Sequence, residues 1–153
     1  MSFIIAFHAV AATALVVTGL VMLLAPKRRR GRHGRLGDVY FRLLAIALGS
    51  GMVVGLRDPA LSPFEIATPP TFALGLGGWL LAKRRPRGWL QWHIAGQGGS
   101  YIGVVTATLF QIVPRVTPES AVIYALIWAL PTIVGSILIA RTTATRLGTV
   151  RTS

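Results

Sequence analysis

Long apolar runs separated by short polar stretches dominate the hydrophobicity pattern of this chain. Five runs approach the roughly 20 residues that a helix needs to cross a hydrocarbon core of about 30 Å. They cover residues 3–25, 39–56, 66–82, 90–113 and 121–140. The third run is the weakest, because Pro69 and Pro70 favour an unwound outer end. The pattern predicts an all-α fold: one transmembrane domain, residues 1–153, built as an integral membrane bundle of five helices.

The distribution of basic residues predicts the orientation of this bundle. Of the sixteen Lys and Arg residues, thirteen lie in the first loop, the third loop and the C-terminal tail, whereas Arg57 and Arg115 lie on the other side and Arg42 lies in the second run. Cytoplasmic loops carry an excess of Lys and Arg. We therefore expect an outside N-terminus and a cytoplasmic C-terminus in the bacterial cytoplasmic membrane. Four aromatic residues fall at the predicted cytoplasmic boundary, a depth that amphipathic rings prefer: Tyr40, Trp79, Trp89 and Trp92.

Composition narrows the classes of partner and of chemistry. Charged residues make up 13% of the chain, about half of the roughly 25% that is typical of soluble domains. The net charge of +12 sits in clusters beside apolar runs, which indicates a lipid bilayer with anionic headgroups rather than nucleic acid. The absence of cysteine excludes disulfides, thiolate metal sites and a cysteine nucleophile. No positive charge precedes the first run, so we interpret it as a retained membrane helix rather than a signal peptide.

A polar stripe along the fourth predicted helix is the most informative feature. At about 100° per residue, one face of this helix collects six polar side chains: His93, Gln97, Ser100, Tyr101, Thr108 and Gln111. Polar side chains are costly in hydrocarbon, so this face should meet protein or water. Two interpretations remain open. The stripe lines a cavity for a ligand, or it forms interhelical hydrogen bonds worth about 0.6 kcal/mol each.

The three histidines differ in their predicted depth. His8 lies roughly 8 Å below the outer boundary and His93 roughly 5 Å above the inner one, at 1.5 Å per residue. Their separation of about 17 Å excludes them as the two axial ligands of one haem, whose nitrogens lie about 4 Å apart. His33 belongs to the same boundary as His93, so the two could share a metal with Asp38 or Tyr40. Nearby arginines repel a cation, however, and favour a phosphate or a carboxylate.

Two short stretches resemble an uncharacterised bacterial family of small, multi-pass predicted membrane proteins. The first is Gly31-x-His33-x-x-x-Gly37-x-x-Tyr40, which follows a basic run. The second is Trp92-His93 with the later Gly98-Gly99-Ser100-Tyr101-Ile102 and Thr106-Ala107. The resemblance covers about the first 113 residues. It implies a helical membrane domain and marks His8, His33, Tyr40, His93, Ser100 and Tyr101 as matching positions, but it implies no activity.

These observations lead to one main hypothesis and two alternatives. We expect a membrane protein that binds a small hydrophobic or cofactor-like ligand, such as a haem, a metal or a quinone. In this hypothesis His93, Gln97, Ser100 and Tyr101 line a polar pocket, and His33 and Tyr40 close its cytoplasmic mouth. His8 is either part of such chemistry or a hydrogen-bonded packing residue. The alternatives are an accessory subunit that packs against a membrane partner or another copy, and a small enzyme with His93 as general base.

Overall fold

The computed structural model describes residues 2–24, 31–57, 60, 62–118 and 120–151, with the backbone alone for 149–151. This part of the chain contains five α-helices and no strand, which confirms the all-α prediction. The helices are α1 (Ser2–Leu24), α2 (Arg32–Gly55), α3 (Pro63–Arg84), α4 (Trp89–Ile112) and α5 (Ala121–Arg151), and a 3₁₀ turn spans Val113–Arg115. Three segments are long and apolar enough to cross a membrane: Ser2–Leu24, Arg32–Gly55 and Ala121–Gly148.

The chain divides into two compact units, Met1–Ala73 and Leu74–Ser153, and the boundary falls inside α3. In the first unit, α1 and α2 pack as an antiparallel pair. A β-carbon added to Gly51 would lie 3.1 Å from the His8 ring, and one added to Gly37 would lie 3.8 Å from Met22. The core between these ends includes Leu15 and Leu44, which are almost fully buried.

In the second unit, α4 packs antiparallel against α5 through reciprocal glycine contacts. Ile139 of α5 fills the space beside Gly98 of α4, and Ile102 of α4 fills the space beside Gly135 of α5. Such small residues let helix backbones approach closely. Further along this pair, Phe110 contacts the ring of Tyr124 with centroids 5.8 Å apart.

Apolar side chains cover much of the described surface. Phe3, Val10 and Leu24 of α1 are 83%, 70% and 74% exposed, and α5 exposes a similar set while burying Ile127. A water-soluble monomer rarely exposes contiguous apolar patches beyond a few hundred Å². The exposed apolar faces therefore agree with the predicted lipid contact of α1 and α5.

Helix α2 begins at Arg32, seven residues before the predicted start. His33 consequently lies in the first turn of a helix, and its prediction as a loop residue is wrong. The apolar runs did not predict this turn because its side chains are polar, but a helical backbone does not require apolar side chains. Gly31 precedes the helix with a φ of 108°, a backbone conformation that side chains with a β-carbon rarely adopt.

Helix α3 also begins earlier than predicted, and its N-terminal end is helical. Pro69 and Pro70 lie inside the continuous helix, so the expectation of an unwound end is wrong. Each proline removes one backbone donor and crowds the carbonyl four residues earlier. Before them, Ile66 N–H bonds Ser62 C=O at 3.4 Å and the hydroxyl of Thr68 donates to Phe64 C=O at 2.8 Å. The first turn of α3 is therefore held by bonds that do not involve the prolines.

Helix α5 is longer than the predicted segment 121–140 and reaches Arg151. The predicted tail is helical, because residues 141–148 contain no proline and the Thr145 hydroxyl donates a hydrogen bond to Arg141 C=O at 2.9 Å. Pro131 lies inside this helix.

Candidate functional site

His93 is held by a hydrogen bond to the backbone of the neighbouring helix. It lies in the second turn of α4, and its Nδ1 is 2.8 Å from the carbonyl oxygen of Gly78 in α3. A carbonyl only accepts, so Nδ1 carries a proton and donates it. In the neutral ring, Nε2 is then the nitrogen with the lone pair. A histidine that donates one N–H to a backbone carbonyl while its other nitrogen binds is the usual arrangement at metal sites.

Gln97 makes a second bond of the same kind, one turn further along α4. Its Nε2 donates to Gly75 C=O of α3 at 2.9 Å. Both bonds span 15 to 22 residues of sequence and join two helices. For these two members of the polar stripe, the interhelical hydrogen bonds that the sequence allowed are present.

The remaining stripe residues satisfy their polar groups locally. Ser100 is fully buried, and its hydroxyl donates to Gln97 C=O at 2.9 Å. Thr108 donates to Val104 C=O at 2.8 Å, and the side-chain oxygen of Gln111 accepts a bond from Arg115 at 3.3 Å. Tyr101 is half-buried on the same helix. Ser100 and Thr108 thus bond to carbonyl oxygens of α4 itself.

The backbones of α3 and α4 meet at two glycines beside the His93 bond. A β-carbon on Gly96 would lie 2.7 Å from Leu74 C=O and 3.0 Å from Gly78 Cα. A β-carbon on Gly78 would lie 2.9 Å from the backbone nitrogen of Gln97. This close approach brings the α3 carbonyls within reach of the α4 side chains. The sequence shows the glycines of α4, but not that Gly96 packs against α3.

Aromatic and basic side chains surround the start of α4. The ring of Trp89 lies 5.7 Å from that of His93, centroid to centroid. The guanidinium of Arg85 lies over the Trp89 ring at 5.4 Å. Trp92 is 62% exposed. His93 thus lies where α4 packs closely against α3, next to the aromatic and basic side chains at the start of α4.

The predicted mouth residues His33 and Tyr40 belong to the first unit. Both lie on α2, where His33 is half-buried and Tyr40 is only 2% exposed. Asp38, the suggested third metal ligand, lies between them on the same helix. Within the described ranges, no group of three or more His, Asp or Glu side chains could hold a metal ion. The sharing of a metal by His33 and His93 stays a prediction.

His8 has the hydrogen-bonded packing role in the first unit. Its Nδ1 lies 3.1 Å from both Ala47 C=O and the Ser50 hydroxyl. Ser50 donates its own proton to Ile46 C=O at 2.7 Å, so Nδ1 of His8 is the donor to both acceptors. The imidazole packs against Gly51. Its orientation is therefore fixed from three sides.

A cluster around Glu65 at the start of α3 was not predicted from the sequence. Ser62 and Glu65 are the residue pair of a capping box. The Ser62 N–H donates to the carboxylate at 2.6 Å, while the Ser62 hydroxyl donates to the same oxygen and accepts a bond from the Phe64 N–H at 3.3 Å. These bonds hold the pKa of Glu65 below its ordinary value. The carboxylate also packs onto Gly55. The signal was present in the sequence as Ser-x-x-Glu with Pro63 at the first helical position.

Several residues used to predict orientation lie outside the described part of the chain, namely Lys27, Arg28, Arg29, Arg30, Asp58 and Glu119.

Comparison with known proteins adds no identity, since no family model, no curated protein and no solved structure matches the chain.

Proposed function

We propose that this chain is a five-helix integral membrane protein that binds a small hydrophobic or cofactor-like ligand at α4 through Nε2 of His93. Its N-terminus would lie outside and its C-terminus in the cytoplasm. The observation that carries the proposal is the bond from His93 Nδ1 to Gly78 C=O at 2.8 Å. That bond fixes the tautomer and the ring orientation, which is the preparation that a ligating imidazole needs.

The polar content of α3 and α4 is compatible with a membrane location. Their 22 and 24 residues correspond to about 33 and 36 Å at 1.5 Å per residue, enough for a hydrocarbon core of about 30 Å. Polar groups inside lipid must find partners within the protein. His93 and Gln97 find them on α3, and Ser100 and Thr108 find them on α4 itself. The pair could therefore enter a bilayer as a hairpin.

The chemistry of His93 narrows the ligand. A bare metal ion would need several protein ligands, and the described residues contain no group of three or more His, Asp or Glu that could supply them. A haem brings four nitrogens of its own and needs one or two axial ligands. A lipophilic molecule with a hydroxyl group, such as a quinol, could donate a hydrogen bond to Nε2. A quinone carbonyl could not, because the donor of the neutral ring is already used on Gly78. We therefore favour a haem or a hydroxyl-bearing lipophilic molecule.

The test distinguishes ligand binding by Nε2 of His93 from the hydrogen bond that its Nδ1 donates to Gly78 C=O. His93→Gln retains an N–H that can donate to Gly78 C=O but lacks imidazole. His8→Gln is the matched control, because His8 makes the same kind of bond within the other helix pair. Wild type and both variants are purified in mild detergent and compared by native mass spectrometry and by absorption in the Soret region.

We expect a bound small molecule in wild type and in His8→Gln, and its loss in His93→Gln with little change in melting temperature. Retention of a haem by His93→Gln would refute the assignment, because glutamine has no ring nitrogen that could bind iron. A wild-type protein that carries no small molecule after expression, and takes up neither haem nor a quinol added to it, would refute ligand binding altogether.

One observation favours a second candidate function, that of an accessory subunit in a larger membrane assembly. Helix α5 exposes Val122, Leu126 and Ile133, among others, and buries only Ile127 among its described residues. The glycines of the α4–α5 contact are already filled by Ile102 and Ile139. A partner would consequently contact the face of α5 that points away from α4. Co-purification of a stoichiometric protein, lost when Val122 and Leu126 are replaced by bulkier tryptophan, would support this role.

A further inference from the structure

Two cations lie over indole rings where α3 ends and α4 begins. The Lys83 ammonium lies 5.4 Å from the centroid of Trp79, and the Arg85 guanidinium lies 5.4 Å from that of Trp89. Attraction between a cation and the negative face of an aromatic ring restrains long, flexible side chains. Tryptophan is also the side chain that prefers the level of lipid headgroups. The turn therefore presents restrained positive charges beside residues that suit a membrane surface.

The backbone of Arg85 is unusual and points to a use for its side chain. Its φ is 48°, and it is the one residue other than glycine with a positive φ in the described part of the chain. At this position after a helix, glycine is the common residue, because a β-carbon is unfavourable in the left-handed conformation. Here the Arg85 side chain bonds Ala82 C=O through Nε at 3.3 Å and covers Trp89. Strained residues of this kind often mark functional positions.

Helix α5 brings further positive charge to the same end of the second unit. The contacts of Gly98 with Ile139 and of Gly135 with Ile102 set an antiparallel register. In that register Arg141 and Arg146 lie level with the first turns of α4. We call this region the basic end; it consists of Lys83, Arg84, Arg85, Arg87, Arg141 and Arg146. The sequence has no Asp or Glu between residues 66 and 118, or after 119, so this unit supplies no acidic side chain there.

We propose that the basic end binds the phosphates of anionic phospholipid headgroups, with Arg85 and Lys83 as the main contacts. Arginine and lysine form strong, charge-assisted hydrogen bonds to phosphate oxygens. Side chains restrained by Trp79 and Trp89 lose less freedom when they bind. This inference rests on the membrane insertion proposed above, and it adds selectivity for headgroup charge at one defined turn.

Arg85→Gly gives a sharp test because it suits the backbone. Glycine adopts a positive φ without strain, so the variant should fold at least as well as wild type while it loses the cation. Arg85→Lys keeps the charge. Arg115→Gln is the matched control, since it removes one exposed positive charge at the opposite end of α4. Each protein is placed in nanodiscs of phosphatidylglycerol and phosphatidylcholine, and retained lipids are counted by native mass spectrometry.

We expect Arg85→Gly to lower the preference for phosphatidylglycerol about fivefold, the effect of one basic residue near an anionic surface. Arg115→Gln should change it little, and Arg85→Lys should restore most of it. An equal loss with Arg115→Gln would show a general charge effect and overturn the site. Displacement of the bound lipid by millimolar inorganic phosphate would also overturn it, since the site would then recognise free phosphate.

The small-molecule ligand is recorded in the same spectra. His93→Gln should lose that ligand and keep its lipid preference, and Arg85→Gly should do the reverse. Failure of one proposal is therefore distinguishable from failure of the other.

Discussion

The closest approach of α3 and α4 gives the sharpest test of the architecture around His93. Gly77 and Gly78 are neighbours in the same helix, but their surroundings differ. A β-carbon on Gly77 would meet nothing within 4 Å, whereas one on Gly78 would lie 2.9 Å from the backbone nitrogen of Gln97 and 2.8 Å from its side-chain amide. Replacing each glycine by alanine therefore compares open space with a backbone contact.

The expected difference follows from three contributions. Alanine gains about 0.5–1 kcal/mol over glycine inside a helix, and this gain applies to both variants. Overpacking at residue 78 costs about 1–3 kcal/mol. Moving the helices apart also strains the bonds of His93 and Gln97, worth about 0.6 kcal/mol each in a membrane protein. Gly77→Ala should thus be slightly stabilising, and Gly78→Ala should be less stable than Gly77→Ala by roughly 2–4 kcal/mol.

The assay is reversible unfolding in mixed micelles of dodecyl maltoside and SDS, followed by circular dichroism. Ligand retention is measured on the same samples by native mass spectrometry. Gly78→Ala should lower both quantities, because displacement of Gly78 C=O removes the acceptor that orients His93. Equal stability of the two variants would refute the close helix contact. Lower stability with full ligand retention would refute the link between that contact and the ligand site.

Two further predictions concern the first unit. Gly51→Ala should be destabilising and Gly49→Ala should not, because a β-carbon would lie 3.1 Å from the His8 ring in the first case and meet nothing within 4 Å in the second; thermal unfolding in detergent compares them. Hydrogen bonds from Ser62 lower the pKa of Glu65 in the folded state below its ordinary value of 4.5. Glu65 therefore stabilises the fold above its unfolded pKa, and this stabilisation is lost as the pH falls through the folded pKa. Ser62→Ala should weaken that acid sensitivity of the melting temperature, and an unchanged pH profile would contradict the capping role.

The sequence located the starts of α1, α4 and α5 to within one residue. Helix α1 begins within one residue of the prediction, and α5 begins at Ala121 as predicted. Helices α2 and α3 begin earlier than predicted because their first turns are polar. For α3 the Ser62–Glu65 capping box marks the start better than hydrophobicity does. Hydrophobicity locates the part of a helix that suits lipid, whereas caps locate where the helix begins.

The polar face of α4 was readable from the sequence, but its partner was not. A helical wheel brings His93 and Gln97 to one side, and both bond to a neighbouring helix. Their acceptors are the backbone carbonyls of Gly78 and Gly75, and a carbonyl is present at every residue. No side-chain pattern could therefore single out α3. The glycines of α3 were the available signal, because a side chain can reach a helical carbonyl most easily where the backbones approach closely.

The two histidines that bond to a neighbouring helix illustrate what separates a packing role from a ligand role. His8 donates to two acceptors and lies on Gly51, so its ring is fixed by hydrogen bonds and by a surface. His93 donates to Gly78 C=O and lies beside Trp89, near an exposed tryptophan and a positively charged turn. In both rings Nδ1–H satisfies a donor that would be costly to leave unpaired in lipid. Glutamine can supply that donor equally well, but it has no second ring nitrogen to bind iron. If His93 serves only as a donor, glutamine should replace histidine at residues 8 and 93 without loss. If Nε2 of His93 ligates a haem, only His93→Gln should remove the bound haem.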